Sequence, residues 1–318
     1  MENGQQQIKK HCFYKTLYVA IKELQNKKDI NLHRSLLNPD EYSDLIEGKG
    51  KRFEHFICTA ETSGLIVSYH DSYQFLPRLC EENDFDTIRM ENLIAVYNNE
   101  CEPISVVKKT LIKSYKKCLR VSEEQLAVWA FNDEILSLAW DKKRYCKPCY
   151  DDINSKEVAD ENPAPFLLKP NKPNGLGVLL IHGLLASPAE LRGIAEALKD
   201  QGYCVLAIRI KGHGTSPYDL RKQSGDDWFK SVQRGLKILN AYCESVIVIG
   251  FSTGGALALK LAAENRDRVV AVIAVAVPVK FVATPLAGVP NAGVVKVGLV
   301  NVLLVKVCEA VNCTILLF

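Results

Sequence analysis

The residues most able to do chemistry are Gly250-Phe251-Ser252-Thr253-Gly254, followed by Gly255. They separate an apolar run from an Ala-rich stretch. A strand before, a helix after and glycines two places either side of a serine describe a nucleophile elbow. Side chains at Gly250 and Gly254 would collide with so sharp a turn. The helix that follows aims its first N–H groups at the site and favours developing negative charge there. The chemistry this suits is attack by Ser252 on an acyl carbonyl. A second motif, His182-Gly183-Leu184-Leu185-Ala186-Ser187-Pro188, ends an earlier apolar run. Acyl transfer needs two backbone donors on the oxyanion, and the N–H groups of Leu184 and Thr253 are the candidates. His182 is read as shaping its loop by hydrogen bonds, with Gly183, rather than as a base. A third motif, Lys211-Gly212-His213-Gly214-Thr215-Ser216, has glycines for a tight turn, and His213 is read as ordering that loop.

These motifs need a scaffold that alternates strands and helices. The continuous apolar run Gly177–Ile181 predicts a strand covered on both faces, and Tyr203–Ile210, Val246–Ile249 and the nine-residue apolar run Val269–Val277 predict three more. Helices are predicted over Pro188–Lys199, Asp226–Leu239 (with Ser224 as N-cap) and Gly254–Ala263. The alternation implies a parallel α/β sheet with right-handed crossovers. Upstream, 12–28 and 103–119 read as helices, and the apolar runs 53–60 and 63–69 as strands. Residues 122–142 read as a helix opened by a Ser122/Gln125 capping box. On that helix Leu126, Trp129, Leu136 and Trp140 form a stripe read as core. Prolines 163, 165, 170 and 173 interrupt regular structure. The organisation expected is an α+β N-terminal region over 1–150, a linker over 151–175 and an α/β domain over 176–318.

From about Gly177 to Pro278 the chain resembles the α/β-hydrolase superfamily. Within it, the chain is similar to the bacterial carboxylesterase and monoacylglycerol lipase group, often labelled serine aminopeptidase-like. The matching features are His182-Gly183, Gly212-His213-Gly214, the Asp226-Asp227-Trp228 helix start and the Ser252 elbow. The resemblance implies hydrolysis of a small acyl ester or monoacylglycerol through an acyl-serine intermediate. Ser252 would be the nucleophile, Leu184 and Thr253 the oxyanion donors, with no cofactor and no metal.

One part of the pattern is missing. In this family the triad runs Ser, then acid, then His. The six histidines are His11, His33, His55, His70, His182 and His213, and none follows Ser252. The acids after it are Glu264, Asp267 and Glu309, the first two at the end of the elbow helix. Residues 279–318 contain no Asp and no His but eleven Val. A serine without a base keeps an ordinary alcohol pKa, so weak hydrolysis is expected. The composition shift suggests a premature end or a reading-frame change near residue 280. It leaves a parallel sheet shortened at its C-terminal side, whose last strand is an edge unless the tail covers it. Two alternatives stand beside the esterase: a non-catalytic pseudoenzyme or binding protein, and an acyltransferase or thioesterase on the same fold. His70-Asp71 is the best N-terminal candidate pair for a base, and a surface turn is the plainer reading.

The composition is that of a globular chain. Over 318 residues, 47% are hydrophobic and 24% charged. Forty basic against 37 acidic residues give a net charge of +3, too even for a nucleic-acid partner. Eleven scattered cysteines, no apolar leader and no apolar run of about 18 residues fit reduced thiols in a cytoplasmic protein. Cys146-Lys147-Pro148-Cys149 lacks the second ligand pair that zinc needs. The basic residues at 108–120 read as a solvated helix face. Sequence does not settle membrane-surface contact or oligomeric state.

Overall fold

Residues 7–80, 104–157, 162–277, 293–297, 300–308 and 311–317 are described in this computed structural model. The chain divides into two compact units, Met1–Ser122 and Glu123–Phe318. The division falls 28 residues before the boundary expected from composition. Helix 123–145 therefore counts with the second unit.

In the first unit, β1 (Gln7–Lys9) leads into α1 (Lys10–Gln25). Then follow α2 (Lys51–Thr62), the hairpin β2 (Ile66–Tyr69) and β3 (Ser72–Phe75), and α3 (Ser105–Cys118). The strands form one antiparallel sheet in the order β1-β3-β2. α1 buries Tyr18, Val19, Ile21 and Leu24. The run 53–60 is helical, not a strand. Its buried residues Ile57 and Ala60 stand three apart, the helical repeat, while Phe56 is exposed. His70-Asp71 makes the exposed turn of the β2–β3 hairpin, with His70 at φ 48°.

The second unit opens with α4 (Glu123–Tyr145) and α5 (Asp151–Glu157). β4 (Phe166–Leu168), β5 (Leu176–Ile181), α6 (Arg192–Asp200), β6 (Cys204–Ile208), α7 (Pro217–Leu220) and α8 (Gly225–Leu239) follow. The unit continues with β7 (Ser245–Phe251), α9 (Thr253–Glu264) and β8 (Val269–Val275), then β9 (Gly293–Val297), β10 (Val300–Cys308) and β11 (Val311–Leu317). One sheet runs β4-β6-β5-β7-β8-β11-β10-β9. Its centre, β6-β5-β7-β8, is parallel.

Two points of the sequence reading concern this sheet, the linker, which differs, and the tail, which covers the last parallel strand. The segment read as linker contains β4, which pairs antiparallel with β6 through Phe166↔Ala207 and Leu168↔Val205. Its flanking prolines confine it to an edge of three residues, where missing N–H donors cost no ladder bonds. At the other side β8 is no edge: β11 pairs antiparallel with it, Ile315 opposite Ile273, and β10 and β9 follow.

The apolar strand runs work as expected. Along β5, Val178 and Leu180 join one core cluster and Leu179 and Ile181 the other. Period-two alternation with both faces covered makes every position apolar. Each such side chain contributes about 1.5–3 kcal/mol by leaving water. α8 starts with the capping box Ser224–Asp227: Asp227 N–H donates to Ser224 Oγ (3.2 Å) and Ser224 N–H to Asp227 Oδ2 (2.9 Å).

On α4 the buried face is not the expected stripe. Leu126, Ala127 and Leu138 are buried, but so are Asp133, Ser137 and Asp141, while Leu136 is 41% exposed. Ser137 and Asp141 lie one turn apart, so a polar strip of the helix faces inward. It is tolerated because basic partners meet it, as described next.

Candidate active site

β7 ends at Phe251 and α9 starts at Thr253, so Ser252 alone makes the turn. Its backbone sits at φ 51°, ψ −118°, a conformation that side-chain-bearing residues avoid and that costs about 1–3 kcal/mol. Surrounding hydrogen bonds hold it there. Ser252 N–H donates to the Val275 carbonyl at 2.8 Å, and the Ser252 carbonyl accepts from Gly255 N–H at 2.9 Å. The glycines are required sterically. A Cβ at Gly250 would lie 2.5 Å from the Gly254 carbonyl carbon. At Gly254 it would lie 2.5 Å from the Ile181 carbonyl oxygen and closer still to that of His182. α9 therefore starts directly against the end of β5. Its first turn carries no acid, so no carboxylate competes for the partial positive charge at the helix start.

The His182 loop lies against this elbow. A Cβ at Gly183 would stand 3.4 Å from Ser252 Cβ and 3.3 Å from the Phe251 carbonyl oxygen. His182 itself is 1% exposed. Its Nε2 accepts the Ile210 N–H at 3.1 Å, and its Nδ1 lies 2.9 Å from the Gly183 carbonyl oxygen. A carbonyl only accepts, so the proton sits on Nδ1 and the ring is the neutral tautomer. Burial pushes its pKa down to about 3, with His213 and Arg209 adding to the depression and the Gly183 carbonyl opposing it. His182 thus has both nitrogens committed to the backbone, which leaves neither for proton transfer. In a planar trans peptide the Gly183 C=O and the Leu184 N–H point opposite ways, so the bond to the carbonyl also orients the Leu184 N–H. Leu184 is 48% exposed, and Leu185 beside it is 78% exposed at φ 62°.

The third motif supports this loop from below. His213 is 3% exposed and edge-on to His182 (ring centroids 5.0 Å) and to Trp228 (5.8 Å). Burial also lowers its pKa. Gly212 and Gly214 take φ 86° and 70°, the turn the sequence called for. Thr215 Oγ donates to Asp219 Oδ2 at 2.6 Å.

A charged network was not legible in the motifs. Asp141 of α4, 5% exposed, accepts from Arg209 Nη2 at 2.7 Å and from Lys211 Nζ at 2.8 and 2.9 Å. Lys211 Nζ also donates to Ser137 Oγ at 2.9 Å, and Arg209 Nη1 to the His213 carbonyl at 3.1 Å. Burial pushes the Asp141 carboxyl up, and the two cations pull it back. The only sequence signal was the polar strip on α4, which is meaningless until its partners are placed. Farther out on α4, Glu134 pairs with Arg234 of α8 at 2.6 Å.

The structure brings Gly250, Ser252, Thr253 and Gly254 together with His182 and Gly183. Glu264 ends α9, and Asp267 follows it before β8 begins, with Lys260 Nζ 4.0 Å from Glu264. Both lie a helix length from the elbow. Residue 309 and the segment 278–292 lie outside the described residues. Cys146 and Cys149 are exposed beside the turn between α4 and α5. Among the described residues no cluster of three or more His, Cys, Asp or Glu side chains is placed to hold a metal, and no helix is long and apolar enough to cross a membrane.

A parallel sheet with helices on both faces and a strained serine at the turn into α9 is the architecture of an α/β hydrolase. Residues 172–305 match the family described as serine aminopeptidase, S33. The chain is 41% identical over 92 residues to a thermostable monoacylglycerol lipase of Bacillus sp. (strain H-257), covering 29% of this chain and 37% of that protein. It is 35% identical over 100 residues to a carboxylesterase of Bacillus subtilis (strain 168), covering 31% and 39%. Among solved structures it is similar to the monoacylglycerol lipase of Paleococcus ferrophilus, at 24% identity and TM-score 0.30 over 35% of this chain and 41% of that one. The matched segment falls in the α/β-hydrolase superfamily, in its carboxylesterase and monoacylglycerol lipase-like group. The chain spans about two fifths of the length of these curated relatives.

Proposed function

We propose that the second unit carries a serine-hydrolase site for carboxylic esters, small acyl esters or monoacylglycerols, working through an acyl-serine intermediate. The observation that carries the reading is Ser252 at φ 51° between β7 and α9, with Gly183 against it. Ser252 Oγ attacks the ester carbonyl carbon, and the carbonyl oxygen becomes an oxyanion. The N–H of Leu184 and of Thr253 receive it. Neither N–H has a protein acceptor among the described residues. Collapse expels the alcohol and leaves the acyl-serine, which water then hydrolyses.

The Ser252 proton is the weak step. No histidine occurs in residues 253–318, and the ring of His182 is committed. With these 318 residues alone the proton passes to water, and the rate stays near the roughly 10³–10⁴-fold residual acceleration that oxyanion donors and binding supply. This absence also favours a second reading, in which the elbow survives in a non-catalytic protein.

A fluorophosphonate probe and p-nitrophenyl butyrate separate the readings. Slow covalent labelling at Ser252 that Ser252→Ala abolishes, with weak ester turnover, is the expected result. No labelling after prolonged exposure makes the non-catalytic reading correct. Turnover at an ordinary enzymatic rate, lost in Ser252→Ala, refutes the missing base.

A further inference from the structure

We propose that Asp141, on a helix outside the family-matched segment, is a positioning residue for the oxyanion donor Leu184. The connection runs through named contacts. Asp141 binds Arg209 Nη2 and Lys211 Nζ together. Those two residues flank Ile210, so one carboxylate holds the side chains on both sides of a single residue. The Ile210 N–H donates to His182 Nε2. That bond fixes the ring, whose Nδ1–H holds the Gly183 carbonyl. The Gly183–Leu184 peptide is planar, so its N–H is aimed by the grip on its C=O. His182, Arg209 and Asp141 are buried, at 1%, 3% and 5% exposure, and Lys211 is half-buried. Water competes little for the Asp141–Arg209 and His182 bonds, and a buried charge left without its counter-ion is strongly disfavoured. The matched family segment begins at residue 172, so α4 lies outside it.

The inference rests on the reading of Leu184 as an oxyanion donor, but its test does not need activity. In ¹⁵N-labelled protein, Asp141→Asn is expected to raise the exchange rate of the Ile210 amide about tenfold, the value of one net hydrogen bond. The two His182 ring nitrogens, resolved as one protonated and one bare in the wild type, should move toward a tautomeric average. Lys211→Met, which keeps the Asp141–Arg209 pair, should give a smaller change in the same direction. It decides the matter if Asp141→Asn does not fold. Glu134→Gln is the control, because it weakens the contact of α4 with Arg234 without touching this series. A structural role for α4 predicts equal effects from Asp141→Asn and Glu134→Gln. Equal effects, or unchanged His182 and Ile210 signals in both Asp141→Asn and Lys211→Met, would overturn the proposal. If Ser252 fails to label while these signals respond as expected, the hydrolase reading falls and the positioning role stands.

Discussion

Gly254→Ala probes the elbow most sharply. The added methyl carbon would sit 2.5 Å from the Ile181 carbonyl oxygen, while ordinary contact begins near 3.4 Å. About 0.9 Å must be recovered. The obstructing atoms belong to backbone at the end of β5, so no side chain can swing aside. α9 and β5 must separate, which also draws Ser252 from Gly183. A clash of this kind falls at the upper end of overpacking costs, about 3 kcal/mol. For a unit of this size, that lowers the melting temperature by about 6–12 °C. Gly193→Ala is the matched comparison. It lies in α6 with nothing within 4 Å of the new methyl, and alanine gains about 0.5–1 kcal/mol over glycine in a helix. The two substitutions therefore move stability in opposite directions. Thermal unfolding followed by circular dichroism at 222 nm, with fluorophosphonate labelling of the folded fraction, is the assay. A Gly254→Ala protein that melts with the wild type and labels equally would show that α9 does not start against β5 as described.

Other outcomes follow from the same geometry. Ser252→Gly removes the labelled hydroxyl but relieves the φ 51° strain, so its urea midpoint should rise by the equivalent of about 1 kcal/mol; a lower midpoint would contradict a strained serine. His182 is neutral in the fold with a pKa near 3 against 6.5 unfolded. The unfolded chain therefore binds the extra proton first, and stability contributed at neutral pH is lost as pH falls from about 6.5 toward 3. Between pH 7 and 4.5 that loss is about 3 kcal/mol. Urea unfolding of His182→Asn should show a shallower pH slope than the wild type, and identical slopes would place His182 in water. With a thiol reagent in the native state, the exposed Cys58, Cys146 and Cys149 should react first, and the buried Cys118, Cys204 and Cys243 only on unfolding. Peptide mass analysis reads the order, and early modification of Cys204 would refute the burial of β6 between β4 and β5.

The sequence by itself determined the elbow and the sheet around it. Gly250, Ser252 and Gly254 stand at spacings that one backbone turn dictates, and the central strands are apolar almost throughout because both faces are covered. Such local constraints are written in neighbouring residues. Residues 53–60 read as a strand because eight residues fit either period, and only the burial of Ile57 and Ala60 on one face shows the helix. Only the tertiary structure decided the roles of Asp141, Arg209 and Lys211. The aspartate lies 68 residues before its arginine, and a lone charge on a helix is indistinguishable from a solvated one until its partner is placed. The tautomer of His182 was likewise beyond the sequence. It is set by Ile210, 28 residues away, because an imidazole nitrogen becomes donor or acceptor only through the group that the fold brings to face it.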